Sequence, residues 1–472
     1  MMSIKKRLVR NTGYLLTSTI AVKILTFVTV VIIARYLGKD NFGVFAAAQA
    51  FVGLFIVIIS LGTEFGFVYE GSKNKEIINS FLGSGIVLKV GLGVLSFIVI
   101  VLMARLLGYS QLHVAAISIF VLVWVFISFQ NFFSGVFQIH QRMEFRAILD
   151  TGRELVFFLI LLIVIRFGTN VLGIVSAKLV SNVVFLVVAI LLSLKFAKPM
   201  FKNINIGKVI KRSYLYAISG LFYMIYFQID TVMLSLMRSS AETGVYAAAY
   251  KLPVAAFLIS RVIETVTRPA MFESESRDRS LLKKIYFVQT KYFVIFGLFV
   301  GISLWFLRDH IVSLIYGSEF AEAAIVLSVL AWFIPIRFVS IVSGDIITTM
   351  GKQNVRTMIQ GITAGLNIIL NIVLIPRYGL YGAAWSTLCS ELFLLIAYTF
   401  FAYRLFLPLP IIATFLKPII AAIIMSIVFI FAEVHWLFAF CLSLLSYAIM
   451  LFVMGSFKND PIFNMIKTRV GR

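Results

Sequence analysis

Six basic residues, Lys23, Lys89, Lys178, Lys251, Arg261 and Arg337, and five acidic ones, Glu64, Asp230, Glu264, Asp345 and Glu391, stand inside otherwise apolar runs of this chain. A charge near the centre of a membrane helix costs at least ~2.5 kcal/mol unless it meets water or a partner. Each of these residues therefore marks a wet cavity, an ion pair, or a side chain stretched toward the interface. Cations held in such a place attract an anion: Arg offers paired hydrogen bonds to phosphate, and Lys a looser point charge that allows release. The carboxylates are suited to balancing those cations or to carrying protons. Spacing gives some pairs already. Arg261 and Glu264 are three apart on one helix face and can pair, and Asp230 and Lys251 lie at similar depth on consecutive runs. Pro253 and Pro335 fall beside Lys251 and Arg337, where a lost backbone hydrogen bond either opens space or provides a hinge.

Catalytic chemistry has no comparable support. The chain holds no HExxH, GxxxxGK[ST] or GxSxG motif, so neither a zinc hydrolase, a P-loop nor a nucleophile elbow is indicated. Cys389 and Cys441 lie in apolar runs without zinc-ligand spacing, and the four histidines sit near run ends. No catalytic residue, metal site or cofactor is expected.

The elements that must hold these charges are membrane helices. The 472 residues are 61% hydrophobic and 13% charged, with a mean hydropathy of +1.02, a composition incompatible with a water-soluble globule. Fourteen apolar runs, from 15–34 to 436–456, are long enough to cross ~30 Å of hydrocarbon, and the first reads as a retained span rather than a cleaved signal. Lys and Arg crowd one set of loops, most densely at residues 195–212, while the opposite set holds only Arg35, Lys39, Arg105, Arg166, Arg238, Arg308 and Arg377. By the positive-inside rule both termini are cytoplasmic. Most of the net charge of +22 is thus an orientation signal, and nucleic acid is excluded as a partner. No external loop is long enough for a catalytic domain.

One phrase occurs twice, GVFAAAQAF at 43–51 and GVYAAAYKL at 244–252, each opening a run after a short external loop. A weaker pair, RFGTNVLGIVSAKLVSN at 166–182 and RYGLYGAAWSTLCSE at 377–391, has nearly the same offset. A shift of six runs preserves direction, so the halves are parallel repeats. The expected fold is an all-α polytopic membrane protein with a six-helix lobe at 1–200, a second at 201–408, and a hairpin of two spans with a cytoplasmic tail at 409–472. Under this offset Glu64 falls one residue from the equivalent of Glu264. The small residues opening each copy let helices approach closely.

IARYLGKDNFGVFAAAQAFVGLF, FQIDTVMLSLMRSSAETGVYAAAYKL, MGKQN and PRYGLYGAAWSTLCSEL resemble the Wzx-like polysaccharide transport branch of the multidrug/oligosaccharidyl-lipid/polysaccharide exporter superfamily. The resemblance covers about residues 5–400. It implies a flippase that moves polyprenyl-pyrophosphate-linked oligosaccharide from the cytoplasmic to the outer leaflet by alternating access, for O-antigen, capsule or exopolysaccharide synthesis. It further implies a monomer in the inner (plasma) membrane, working beside a polysaccharide polymerase and glycosyltransferases. Lys23 falls where the family often has a basic residue in its first span. A flippase for lipid II or teichuronic acid fits the same charges, since that carrier is also a pyrophosphate. A cation-coupled drug exporter fits less well, because its cavity would be acidic.

Overall fold

The computed structural model describes residues 4–202, 204–408, 411–432 and 434–457. The tail from residue 458 lies outside the described residues. Regular structure among them is helical throughout: α1 (Ile4–Leu54), α2 (Ile56–Ser60), α3 (Thr63–Lys73), α4 (Ile78–Leu106), α5 (Gln111–Ile139), α6 (Met143–Arg166), α7 (Val171–Ser193), α8 (Ile206–Met237), α9 (Ser240–Arg277), α10 (Arg279–Tyr316), α11 (Glu322–Leu330), α12 (Phe333–Thr349), α13 (Gln353–Leu405), α14 (Ile411–Phe431) and α15 (Trp436–Val453). Lipid dictates this, because a helix satisfies its peptide groups within one segment and hydrocarbon offers them nothing else. Among the described residues, ten helical stretches are long and apolar enough to cross a membrane, and large apolar side chains such as Ile98, Leu191, Ile369 and Phe438 face outward. The chain is a multi-pass membrane protein.

α1 and α13 run for 51 and 53 residues, roughly 75–80 Å at 1.5 Å per residue, far beyond the hydrocarbon thickness. Each is two helices joined at a kink, at Gly38 (φ 68°, ψ 173°) and Gly379 (φ 56°, ψ −133°). Side chains resist that backbone region, and glycine does not. α6 is also long but carries Asp150, Arg153 and Glu154, and α8 contributes a shorter apolar stretch, Met224–Met237. Arg105 and Arg166 occupy the last turns of α4 and α6. A cation there meets the negative end of the helix, which explains basic residues in otherwise sparsely charged loops.

Breaks interrupt apolar helices in two regions of the chain. α1, α2 and α3 are separated at Phe55 and at Leu61–Gly62, the latter two left-handed (φ 47° and 66°). Hydroxyls satisfy the freed carbonyls: Thr63 donates to Ser60 at 2.8 Å and Ser128 to Ile59 at 3.4 Å. The second break, at Ala331–Trp332 between α11 and α12, is explained by Pro335, which has no N–H for the carbonyl of residue 331 and whose ring crowds it. Pro335 is packed tightly, since Cβ atoms on Gly297 and Gly301 of α10 would lie 2.9 Å and 3.1 Å from its atoms. Pro253 lies inside uninterrupted α9.

The chain packs as two compact units. The first comprises Met1–Ala247 with Asn371–Ala383, the second Ala248–Leu370 with Ala384–Arg472. The first keeps a phenylalanine-rich core around Phe67, Phe81, Phe132 and Phe137. The lysine-rich stretch after α7 is fastened to this unit: Lys198 N and Met200 N bond to Asn79 at 3.0 and 2.9 Å, and Asn205 N to Ser84 at 3.1 Å. In the second unit, α14 and α15 pack on α10 around Met425 and Tyr447, whose hydroxyl donates to the Ile295 carbonyl at 2.9 Å. Lysines 291 and 417 donate to the carbonyls of Ser456 and Gly455 just past α15, where helix carbonyls lack intrahelical partners.

Candidate functional site

In the first unit Lys89 is 1% exposed. Its Nζ donates to Ser128 Oγ at 2.6 Å and lies 5.3 Å from the centre of the Phe132 ring. Glu64, at the first turn of α3 beyond the Leu61–Gly62 break, attracts it through space, and Glu64 Oε2 is buried with no hydrogen-bond donor among the described residues. The broken helix thus brings together a cation, a carboxylate and a hydroxyl within apolar surroundings. Lys178 is half-buried, its Nζ 5.2 Å from the Phe157 ring centre and within electrostatic reach of Glu154. Around it lies a group that the sequence reading missed: Arg153 bonds Glu154 at 3.3 Å and Gln130 at 3.4 Å, with Asp150 at 3.9 Å. The signal was available in DTGRE at 150–154, whose charges recur at helical spacing. Asp230 accepts from Asn371 at 2.6 Å and from the Tyr246 hydroxyl at 3.1 Å, so its carboxylate is held by α13 and α9.

The second unit contains an acid–base network. Asp345 Oδ1 accepts from Arg268 Nε at 3.0 Å and Nη2 at 2.9 Å, and from Arg356 at 3.4 Å. Arg268 also binds Glu264 at 2.5 Å. Glu264 therefore pairs with the residue four positions on. Hydropathy marks neither Arg268 nor Arg356, since the first lies just past the end of one apolar run and the second just before the start of another. Arg337 donates to Glu391 at 3.1 Å and 3.5 Å, with the carboxylate fully buried. Lys23 and Arg261 are exposed, and Lys251 is half-buried.

Two kinds of charge emerge. Lys89, Arg337, Arg268 and Arg356 hold buried partners, an arrangement that leaves little freedom to reach a ligand. Lys23 and Arg261 are exposed residues of α1 and α9.

The polysaccharide biosynthesis protein family matches residues 8–275, and the MatE family matches residues 216–373. The first match spans more than half of the chain, which belongs to the polysaccharide biosynthesis protein family, in agreement with the resemblance carried by its motifs. A probable low-salt glycan biosynthesis flippase of Haloferax volcanii, Agl15, is 24% identical over 377 residues, 78% of this chain and 77% of that protein. The capsular polysaccharide biosynthesis protein CapF of Staphylococcus aureus is 24% identical over 411 residues, 84% of this chain and all of CapF. Among solved structures, the lipid II flippase MurJ in an inward closed conformation superposes with a TM-score of 0.74 at 17% identity, covering 93% of this chain and 98% of MurJ. An inward-facing multidrug MATE transporter gives 0.63 at 16% identity, over 79% and 94%. The fold is that of these transporters.

Proposed function

We propose that the chain is a flippase for polyprenyl-pyrophosphate-linked oligosaccharide, moving the repeat unit from the cytoplasmic to the outer leaflet by alternating access for O-antigen, capsule or exopolysaccharide synthesis. The observation that carries this reading is the exposed cation on a membrane-spanning helix, Lys23 on α1 and Arg261 on α9, in a chain of this family. A pyrophosphate crossing hydrocarbon alone meets a large desolvation penalty. Fixed cations in a hydrated path offset it while the polyprenyl tail stays in lipid. Lys23 and Arg261 are the primary contacts in this reading. Lys251 supports them, and Lys89, Lys178 and Arg337 contribute positive potential from buried positions. Glu64, Asp230, Glu264, Asp345 and Glu391 balance charge or couple the cycle to an ion, with Pro253 and Pro335 shaping the helices beside them. The relatives named for glycan and capsule synthesis support this substrate class.

The topology proposed with it has fourteen spans in two six-helix repeats and a final hairpin, both termini cytoplasmic, in the inner (plasma) membrane. The lysine-rich loops then face the cytoplasm, and the corners at Gly38 and Gly379 face outside. The protein acts as a transporter without catalytic chemistry, as a monomer beside polymerase and glycosyltransferases. A lipid-II-type substrate is the second reading, favoured by the MurJ-like fold, and it shares the pyrophosphate. The test is flipping of a fluorescent polyprenyl-pyrophosphoryl oligosaccharide in liposomes containing only this protein, run beside fluorescent lipid II. Faster movement of the oligosaccharide lipid supports the first reading, and movement of neither rejects both.

A further inference from the structure

The duplicated phrase meets itself inside the first unit. A Cβ added to Gly43 would overlap the carbonyl oxygen of Ser240 and lie 3.0 Å from the Gly244 nitrogen. A Cβ added to Gly244 would overlap the carbonyl oxygen of Lys39 and lie 2.9 Å from the Gly43 nitrogen. The contact is reciprocal, because Lys39 and Ser240 stand at the same place, four residues before each glycine. Each copy thus packs its glycine against the other's first turn, backbone on backbone. The same end is braced by Tyr109 and Ser235, whose hydroxyls are 2.6 Å apart, and by Glu242, which accepts from Leu380 N at 3.3 Å beside Arg238. Contact continues along α8, where Gln228 lies against Gly53 and, at the far end, Ser213 and the Arg212 backbone lie against Gly66. There Arg212 reaches Glu70 at 3.3 Å, its own side chain 51% exposed.

We propose that Gly43 and Gly244 form the outer seal of the transport path, a backbone contact that must part before substrate leaves, with the Arg212–Glu70 pair over Gly66 as the inner latch. This rests on the flippase reading and adds to it the place where the path closes. The two closures differ in chemistry. The inner one is an ion pair whose Arg212 side is exposed while Glu70 is 12% exposed, so salt screens it in part. At the outer one the glycine contact itself has no side chain to titrate or screen, the Arg238–Glu242 pair lying beside it, and helix contacts in lipid depend on such close approach. The duplication acquires a reason: a reciprocal seal needs glycine at the equivalent position of both copies.

The test starts from full-length protein with Cys389→Ser and Cys441→Ser, which removes the exposed cysteines. In one arm, Tyr109→Cys and Ser235→Cys are bridged by a bis-methanethiosulfonate about as long as the tyrosine side chain. Flipping of the fluorescent lipid-linked sugar should stop and return on reduction, which also shows that the fold survived. In the other arm, Thr231→Cys, one turn inward of Ser235 and buried, is labelled from outside with an impermeant maleimide. Adding Gly43→Ala or Gly244→Ala should raise the labelling rate by about tenfold or more, the change expected when a closed state loses its preference by that factor. The double substitution should add little, since both act on one contact. Gly91→Ala, where a Cβ meets nothing within 4 Å, should have no effect. Undiminished flipping by the bridged protein, or labelling indifferent to both glycine substitutions, overturns the seal. A protein that shows the labelling changes but never flips the lipid keeps the seal and loses the transport reading.

Discussion

Arg337 and Glu391 allow a direct separation of structural from substrate-facing charge. The carboxylate is fully buried, the guanidinium side chain is 12% exposed, and they meet at 3.1 Å. Arg337→Ala leaves Glu391 buried without this counter-ion, and breaking such a pair costs about 3–5 kcal/mol. At about 2–4 °C per kcal/mol, the unfolding midpoint of the detergent-solubilised protein should fall by roughly 10 °C. Arg337→Met combined with Glu391→Gln removes both charges at similar volume and should recover most of the loss, because neither desolvation penalty remains. The readout is the fraction surviving as a monodisperse size-exclusion peak after heating, for the parent, Arg337→Ala, and the cycle of Arg337→Met, Glu391→Gln and their combination. The coupling energy of that cycle should be about 2–3 kcal/mol. If Arg337→Ala unfolds at the parent temperature yet abolishes flipping, the charge serves the substrate and the argument from its pairing is refuted.

Lys23→Ala and Arg261→Ala should each reduce flipping of a polyprenyl-pyrophosphoryl sugar by at least about tenfold at equal amounts of folded protein, since each removes a charge-assisted phosphate contact; full activity in both rejects the cationic path. Arg268→Ala should destabilise more than Asp345→Ala, because it strips Glu264 and Asp345 of a shared partner, whereas Asp345→Ala leaves Arg268 bonded to Glu264; heating of the two variants side by side ranks them. Asp278 caps α10, and hydrogen bonds from the Ser280 hydroxyl and from the Leu281 and Ser280 amides hold its carboxyl below the usual range. The stabilisation is therefore present above the ordinary Asp value and lost as pH falls through the lowered one. Amide exchange at Ser280 and Leu281 should be faster in Asp278→Ala at neutral pH, with the difference vanishing in strong acid.

Much of this protein is a matter of local composition. Apolar runs long enough to span hydrocarbon must become helices, since lipid provides no other partner for the peptide groups, and that logic works residue by residue without knowledge of neighbours. The duplicated phrase was equally legible, as were the residues where a charge in such a run required explanation. How each charge is answered was not. Lys89 meets Ser128, 39 positions on; Arg337 meets Glu391 at a separation of 54; Asp230 meets Asn371 at 141. Sequence spacing ranks only partners within a turn or two of one helix, and even there it offered Arg261 to Glu264 where the fold supplied Arg268.

Hydropathy by itself determined that the chain is a bundle of membrane helices, because the free energy of placing a segment in lipid is nearly a sum over its own residues. The tertiary structure alone decided which ions are neutralised, where helices break, and that two glycines 201 residues apart in the chain face one another. Those outcomes depend on interatomic distances between segments, and Coulomb attraction and steric overlap change over a few ångströms that no linear order records.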